Sequence, residues 1–286
     1  MESHPNTFGG WWTEKKIEIF LKYLYAYLEI MKHQRFKLIY FDGFAGCGTI
    51  QKPGQETEKG LLESVAVQVL GMNHPKRFDY YYMVEKDPQK AQALRDLLDT
   101  KFPAIPGVTV VEADCNKKLQ DMAVYLQREK YARALCFIDP FGMSLDWASL
   151  EALNGLGVDI WLLVPTGIGV NRMLTKNGRI SEAWLAKLER FWGLQRSEIM
   201  AYFYETKTHL TLFGPEEVTD KKDQIIQRIA ERYAGQLKKI FNFVSKPFPM
   251  ANATGSVMYH FLLATQNANG LKIGNDIIGK ELGQSA

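Results

Sequence analysis

The sequence predicts a doubly wound α/β fold, with a mostly parallel sheet and a helical insert before the last two strands. Up to Pro165, short apolar runs rich in β-forming residues alternate with amphipathic segments, and parallel strands require such helical crossovers. The first apolar run ends abruptly in an acid and a glycine-rich turn. After Pro165 the alternation stops, and two further apolar runs follow a helix-like stretch.

The individual elements follow from two periodicities. Apolar residues recur every three or four positions over residues 12–31, which predicts an amphipathic helix. Residues 37–41 form a short run of β-forming residues, which predicts a buried strand. The same reasoning predicts helices at 60–71, 88–98, 116–129 and 146–153, and strands at 79–84, 108–111, 134–138 and 158–164.

Three regions are expected along the chain. Residues 1–169 contain the N-terminal helix and the cofactor-binding core, and residues 170–240 form the insert, a candidate substrate-binding region. Within the insert, helices are predicted at 181–192, 196–204 and 216–240. Residues 241–286 supply two closing strands at the sheet edge, 241–247 and 257–265, and a C-terminal tail.

Composition and cysteine usage exclude several classes of protein. The three cysteines, Cys47, Cys115 and Cys136, have no CxxC spacing and the histidines are scattered, so no metal site is predicted. Widely spaced cysteines fit a reducing compartment. No basic start leads into an apolar stretch, and no apolar run approaches the ~20 residues that cross a bilayer. We therefore expect a cytoplasmic protein that does not engage a membrane.

The charge distribution allows two interpretations. The formal net charge is only +3, but residues 170–246 carry 14 Lys and Arg against 9 Asp and Glu, whereas the rest of the chain carries 21 against 23. The basic excess therefore lies in the C-terminal third. A phosphate-binding face and a solvated helical surface explain it equally well.

Small residues follow the acid at the end of the first predicted strand. After Asp42 come Gly43, Phe44, Ala45, Gly46 and Gly48. A dinucleotide fingerprint spaces its glycines as G-x-G-x-x-G, whereas here they stand as G-x-x-G-x-G. At the carboxyl end of a strand, where such sheets bind ligands, an acid can receive an ammonium group while backbone amides bind a carboxylate. The turn therefore suits a cofactor with an amino-acid moiety, and a glycine-rich turn without a ligand is the alternative.

Acids also end the second and third predicted strands. Glu85, followed by Lys86, is placed to accept hydrogen bonds from both hydroxyls of a ribose. Asp114, followed by Cys115, is placed to accept one from an adenine amino group. Each acid alone fits a solvated loop, but three acids at successive strand ends beside a glycine turn predict one site for a nucleoside cofactor.

The fourth predicted strand ends in the candidate catalytic residues Asp139, Pro140 and Phe141, followed by Gly142. Asp139 and the Pro140 region can accept hydrogen bonds from an exocyclic amine, and Phe141 can stack on a planar ring. This arrangement predicts catalysis by positioning, for which no triad is needed. The alternative is a turn followed by a buried phenylalanine.

Residues beyond the fifth predicted strand complete the candidate site. Gly167 and Gly169 permit a sharp turn at the rim, and Asn171 and Arg172 follow. Together with Gly142, these last two are predicted to contact a substrate phosphate or base. Equally, Arg172 can pair with a carboxylate of the chain itself.

Five motifs, in this order, resemble those of one protein family. They are Asp42-Gly43-Phe44-Ala45-Gly46-x-Gly48, Val84-Glu85-Lys86-Asp87, Asp139-Pro140-Phe141-Gly142, Gly167-x-Gly169-x-Asn171-Arg172 and Tyr259-His260-Phe261-Leu262-Leu263-Ala264-Thr265. From residue 12 to residue 271 the chain resembles the three-Cys-motif partner proteins, TcmP. The resemblance implies a Rossmann-like methyltransferase fold, S-adenosyl-L-methionine as cofactor, and a separate three-cysteine partner protein similar to radical-SAM enzymes.

Two wider likenesses bear on the substrate. Phe44-Ala45-Gly46-x-Gly48 is similar to the cofactor motif of DNA cytosine methyltransferases, and Asp139-Pro140-Phe141 looks like the D-P-P-[YF] motif of amino-methylating enzymes. Here Phe141 stands where the second proline is usual. The resemblance does not define a substrate, but the acids at successive strand ends, together with the D-P-F-G tip, suggest methyl transfer to an amino nitrogen of a nucleic-acid base. The alternatives are a non-catalytic partner that binds cofactor or nucleic acid, and a nicotinamide-dependent oxidoreductase, with which the glycine spacing conflicts.

Overall fold

The computed structural model describes residues 11–51, 61–212 and 214–283. The strands, in chain order, are β1 Lys37–Asp42, β2 Thr49–Gln51, β3 Leu61–Glu63, β4 Tyr80–Glu85, β5 Val108–Glu112, β6 Ala132–Ile138, β7 Val158–Val164, β8 Tyr204–Thr211, β9 Gly214–Lys221, β10 Phe243–Val244, β11 Phe248–Ala251 and β12 Val257–Thr265. The helices are α1 Trp11–Met31, α2 Val65–Gly71, α3 Pro88–Lys101, α4 Cys115–Arg128, α5 Trp147–Glu151, α6 Asn171–Met173, α7 Glu182–Trp192, α8 Arg196–Phe203, α9 Ile225–Leu237 and α10 Ala268–Glu281. A π-helical turn over Thr166–Val170 leads into α6.

The central sheet has eight strands within the described residues. Five of them are parallel and lie in the order β5, β4, β1, β6, β7. β12 pairs antiparallel with β7, and β10 and β11 both pair antiparallel with β12. A parallel sheet that is wound outward in both directions from its first strand is doubly wound. The predicted fold class is therefore confirmed.

Helices cover both faces of this sheet. α1, α2, α3 and α10 pack on one face, and α4, α5, α7, α8 and α9 pack on the other. In β1, Leu38 and Tyr40 belong to the first layer of the core while Ile39 and Phe41 belong to the second, and all four are buried. Burial on both faces explains why the strand is a continuous apolar run. The carboxyl ends of the parallel strands meet along one edge of the sheet.

The insert is not wholly helical. The predicted helix over residues 216–240 is wrong in its first part, because residues 214–221 are β9, which pairs antiparallel with β8, and α9 begins only at Ile225. β8 starts where α8 ends. Thr206 and Thr208 alternate along it and favour an extended chain. The residues of β9 do not alternate in this way, so its sequence does not indicate a strand and resembles the start of the following helix.

Two other boundaries differ from the prediction. The helix predicted over 60–71 begins at Val65, since Ser64 is its N-cap, and residues 61–63 form β3, which pairs with β2. Gly60 lies outside the described residues. The predicted closing strand 257–265 is β12, whereas only Phe243–Val244 of the predicted strand 241–247 pairs with it. None of the helices in the described ranges has the length and apolar character that a membrane crossing requires.

The predicted C-terminal tail contains a helix, α10, whose N-cap is Asn267. Its glycines disfavour a helix in isolation. In the fold they allow close packing, because a Cβ at Gly274 would lie 2.4 Å from the Cδ2 of Leu263 on β12. Tertiary packing therefore overrides the weak local propensity.

Candidate functional site at the carboxyl edge of the sheet

Asp42 ends β1 and is buried where the glycine-rich turn begins. Its carboxylate accepts hydrogen bonds from the backbone N–H of Phe44 at 3.2 Å and from the Tyr40 hydroxyl at 3.0 Å. Burial raises the pKa of Asp42 to about 7, because desolvation outweighs these two hydrogen bonds. The negative charges of Asp139 and Glu85 contribute to this rise. A cation placed beside Asp42 would favour its ionised form.

The three glycines of the turn have different roles. A Cβ at Gly43 would lie 2.6 Å from the Sγ of Cys115, and one at Gly48 would lie 2.5 Å from the Cδ2 of Leu97, so both positions are needed for close packing. Gly46 has a φ of +67° and open space where its Cβ would be. Of the three, only Gly46 leaves room for a ligand to approach the backbone.

Glu85 ends β4 and connects that strand to the turn. One of its carboxylate oxygens accepts a hydrogen bond from the backbone N–H of Gly46 at 3.0 Å, and the other accepts one from Asp87 at 2.8 Å. Ala45, in the same turn, donates its N–H to the Val84 carbonyl. The Glu85 side chain is buried. Since an ionised carboxylate has about four acceptor sites, two donors leave capacity for another, such as a hydroxyl group.

Asp114 and Cys115 lie where β5 leads into α4. Asp114 caps the helix by accepting a hydrogen bond from the backbone N–H of Asn116 at 2.9 Å, and the Lys86 ammonium lies 3.1 Å from its other oxygen. Partial burial raises the pKa of Asp114, but the hydrogen bonds from Lys86 and Asn116 outweigh it, so the pKa is lowered. Asp114 is thus an ionised acceptor at the rim. The thiol of Cys115 is buried against Gly43 instead.

Asp139, which follows β6, forms an ion pair with Lys16 of α1. The side chain of Lys16 is 10% exposed and that of Asp139 is 26% exposed. The ammonium group therefore reaches the predicted catalytic carboxylate from within the core layer. This contact joins the N-terminal helix to the candidate site.

The rest of the D-P-F-G motif forms an exposed tip. Pro140 is buried, but the Phe141 ring is 57% exposed, and the ammonium of Lys90 lies 5.2 Å from its centroid. Gly142 is exposed, with a φ of +61° and open space at its Cβ position. The alternative of a turn with a buried phenylalanine is therefore wrong, and the ring is available for stacking.

Lys16 is the residue of this edge that sequence reasoning misses. The buried residues of α1 include Thr13, Lys16, Phe20, Tyr23 and Tyr27, at spacings of three and four. The lysine thus lies in the stripe that faces the sheet. A cation in such a stripe needs a buried partner, and this pattern is the signal in the sequence that could have identified it.

Asn171 and Arg172 lie in α6, beyond the end of β7. The ammonium of Lys221, on β9, donates to the Asn171 carbonyl at 2.9 Å and to its side-chain oxygen at 2.7 Å, and burial lowers the pKa of this lysine. Arg172 is exposed. Burial raises the pKa of Tyr259, on β12, where the charge of Asp139 acts in the same direction and that of Arg172 opposes it.

Packing explains other residues of the rim motifs. A Cβ at Gly167 would lie 2.0 Å from the carbonyl oxygen of Val257, so glycine permits the backbones to approach. The buried side chains of Thr166 and His260 are hydrogen-bonded at 2.9 Å, and burial lowers the pKa of His260 to about 4. These contacts hold the turn after β7 against β12.

Two cavities in the described part of the chain lie elsewhere. One, of about 590 Å³, is at the amino edge of the sheet and is lined by Arg133 and Asp159 among others. The other, of about 440 Å³, lies beside α4 and is lined by Tyr80, Tyr82 and Tyr125 among others. Neither is lined by a residue predicted for the site.

No family model matches the chain, and no curated protein matches it. Similar solved structures include a DszA carbon methyltransferase, at 16% identity over 90% of this chain and 55% of that one, with a TM-score of 0.44. A protein from Legionella pneumophila is 17% identical over 88% of this chain and 96% of its own, with a TM-score of 0.42. Trm1 from Pyrococcus horikoshii, in complex with S-adenosyl-L-methionine, is 11% identical over 91% of this chain and 64% of its own, with a TM-score of 0.39. Similarity at this level decides neither family nor activity, so the resemblance to the three-Cys-motif partner proteins stays a prediction.

Proposed function

We propose that the chain is an S-adenosylmethionine-dependent methyltransferase that acts on an amino nitrogen of a nucleic-acid base. The observation that carries this proposal is the meeting of three acids, Asp42, Glu85 and Asp139, at adjacent strand ends beside Gly46. Neighbouring strands lie about 4.8 Å apart. One ligand of nucleoside size can therefore span all three.

The residues at this edge fit the cofactor part by part. Asp42, whose raised pKa reflects burial without a cation, would bind the ammonium group, and the open space at the Cβ position of Gly46 leaves room for the carboxylate beside the turn. Glu85 retains acceptor capacity for the ribose hydroxyls, and Asp114 is an acceptor for the adenine amino group. When bound, S-adenosylmethionine would supply an electrophilic methyl group: the amine lone pair would form the new nitrogen–carbon bond as the carbon–sulfur bond breaks, S-adenosylhomocysteine would leave, and the methylated nitrogen would release a proton to solvent.

The D-P-F-G tip would hold the substrate. Lys16 pairs with one oxygen of Asp139, and the second oxygen can accept a hydrogen bond from an amine N–H. The exposed ring of Phe141 can stack on the base that carries the amine. With the amine oriented by both residues, its lone pair is directed at the cofactor, and positioning of this kind supplies much of the catalysis.

A nucleic acid as the substrate is supported by the exposed Phe141 and Arg172 at the rim and by the basic excess of residues 170–246. The partner, a three-cysteine protein similar to radical-SAM enzymes, is proposed from the family resemblance alone. Co-purification with the product of a neighbouring three-cysteine gene tests that part. The cytoplasm is the location in which we expect both proteins.

Transfer of a labelled methyl group from S-adenosylmethionine to RNA and DNA pools tests the activity. Asp139→Asn should lower transfer, measured at saturating cofactor, by about 100-fold, the cost of a misplaced reactant. Asp96→Asn is a matched control, because Asp96 is on α3 and pairs with Gln92 at the surface. Full transfer by Asp139→Asn on a pool that the wild type methylates would refute the assignment of Asp139.

The ion pair between Lys16 and Asp139 also favours a second candidate, a non-catalytic protein that binds cofactor or nucleic acid within a two-protein system. In that case the carboxylate is a structural partner of the lysine and not a substrate ligand. Cofactor binding without transfer to any nucleic acid, with the three-cysteine protein present, would favour this candidate. Turnover would eliminate it.

A further inference from the structure

We propose that Lys16 is a positioning residue of the reacting centre, so that the N-terminal helix α1 is part of the active site. The inference rests on the proposed function and deepens it, since it identifies the residue that prepares Asp139 for an amine substrate. Its starting observation is the ion pair between Lys16 and Asp139, which joins α1 to the end of β6.

The placement of Lys16 differs from that of the other lysines on the same helix. Lys15 and Lys22 each pair with Glu18 and Glu281, and their side chains are 25% and 48% exposed. These pairs fasten α1 to α10. Lys16 instead extends along the stripe that faces the sheet and reaches Asp139 with 10% of its side chain exposed.

Stability alone does not account for a lysine at this position. Burying an ammonium group and a carboxylate costs desolvation energy that their attraction often fails to exceed, and well-packed apolar residues in place of such a pair are often neutral or stabilising. Phe20, one turn further along the same stripe, is fully buried. An apolar side chain would therefore fit the stripe, which supports a role for the charge itself.

The charges around Asp139 give that role. Lys16 contacts it from α1, and its negative charge also acts on Asp42 of β1 and on Tyr259 of β12, where the charge of Arg172 acts in the opposite sense. Lys16 is the cation in direct contact, so it offsets the negative charge of Asp139 and fixes one carboxylate oxygen. The other oxygen is then held ready for the amine.

The charges of Lys16 and Asp139 largely cancel, so removal of either one should change how the site binds a charged ligand. S-adenosylmethionine carries a positive charge on its sulfur, whereas S-adenosylhomocysteine does not. If Lys16 is removed, the unpaired Asp139 attracts the sulfonium. If Asp139 is neutralised, the unpaired Lys16 repels it. The affinity ratio of the two ligands therefore reports the charge balance at the reacting centre, whereas a general loosening of the fold weakens both ligands alike.

Calorimetric titration of both ligands into the full-length chain tests the inference. Lys16→Met should shift the affinity ratio toward S-adenosylmethionine by roughly tenfold, as expected for one unit charge in a partly buried site, and Asp139→Asn should shift it the opposite way. Lys16→Arg should keep the wild-type ratio, and so should Lys15→Met, which removes the same charge one residue away. The double variant Lys16→Met/Asp139→Asn should return close to the wild-type ratio.

The outcomes separate this inference from the proposed function. A folded wild-type protein that binds neither ligand refutes the function, and the inference falls with it. Binding by the wild type, with the same ratio in Lys16→Met or in Asp139→Asn, refutes the inference and leaves the function standing. Thermal unfolding of each variant establishes that it folds. If Lys16→Met does not fold, Asp139→Asn decides the matter, because it leaves the lysine charge unpaired.

Discussion

Asp42, Glu85 and Asp139 occupy equivalent positions at neighbouring strand ends, but each has different partners. Asp42 is buried with two neutral hydrogen-bond donors, Glu85 binds two backbone N–H groups, and Asp139 pairs with Lys16. These three similar side chains therefore differ in the groups that they contact and suit different proposed roles. Among them Asp42 is the acid whose protonation changes near neutral pH, and this makes its role accessible to measurement.

Cofactor binding is expected to release a proton below neutral pH. Because the pKa of Asp42 is about 7, most of the protein carries a protonated Asp42 at about pH 6, and the ammonium group of the cofactor would favour the ionised form. Titration with S-adenosylhomocysteine in two buffers of different ionisation enthalpy measures this release. Asp42→Asn should abolish it. Equal heats in both buffers for the wild type would contradict the assignment of Asp42 to the ammonium group.

Asp42 also makes stability depend on pH. Its pKa is about 7 in the folded protein against an ordinary value of 3.8, so the folded state binds more protons between these values and the free energy of unfolding falls as pH rises through them. One such group contributes a slope of up to about 1.4 kcal/mol per pH unit. His260, whose pKa is lowered to about 4 from 6.5, acts oppositely over the overlapping range. Urea denaturation of the wild type and Asp42→Asn across this pH range isolates the contribution of Asp42. Parallel dependence of the free energy of unfolding on pH in the two proteins would refute it.

Two glycine substitutions separate packing from ligand access. Gly43→Ala should cost about 1–3 kcal/mol of stability through overpacking, because the new Cβ would lie 2.6 Å from both Cys115 and Ile138. Gly46→Ala meets no neighbour and should cost roughly 1–2 kcal/mol for its positive φ, but it should weaken cofactor binding. Denaturation curves and cofactor titrations distinguish the two effects. Unchanged affinity in a folded Gly46→Ala would argue against a ligand above this turn.

At the scale of elements, sequence periodicity is informative where one face of an element is buried. α1 has such a pattern and was predictable, whereas the five parallel strands were predictable from a different signal, short apolar runs of β-forming residues. α10 was not, because Gly270 and Gly274 satisfy a packing requirement that only the folded neighbours define. The β8–β9 hairpin was not either, since β9 has no alternating apolar residues and pairs with nothing but β8 within the described residues.

The hairpin is expected to support the substrate side of the site through Lys221. Its ammonium donates to two oxygens of Asn171 and to the Leu174 carbonyl, so Lys221→Met leaves three acceptors without this donor and should loosen the rim, at about 1–3 kcal/mol of stability. We expect weaker binding of single-stranded oligonucleotides and unchanged cofactor affinity, measured by fluorescence anisotropy and calorimetry. Lys207→Met, on the same hairpin, removes an exposed lysine paired with Glu205 and serves as the control. An equal loss of oligonucleotide affinity in Lys221→Met and Lys207→Met would exclude a specific role for Lys221.

At the scale of the whole molecule, the order of the strands determines which acids meet. β1 lies between β4 and β6, so residues far apart in sequence arrive at one edge, as the alternation of strands and helices predicted. The sequence could not reveal that Lys16 reaches Asp139, because that contact depends on the position of α1 across the sheet. Nor could it show that Gly43 and Cys115 pack together, because both lie in motifs that also suit a ligand. Local sequence patterns thus predict where the candidate site lies. Contacts between distant residues determine which side chains face it and which pack inside the core.

If the carboxyl edge of the sheet binds S-adenosylmethionine as proposed, Glu85→Gln should lose affinity for S-adenosylhomocysteine. Wild-type binding in the micromolar range, about −8 kcal/mol, should weaken by tenfold or more, about 1.4 kcal/mol, because Glu85 would accept the ribose hydroxyls. Glu112→Gln, at the exposed end of β5, should bind as the wild type does, and NADH should not compete. Equal affinity in Glu85→Gln and the wild type, or no binding by the folded wild type, would contradict the account.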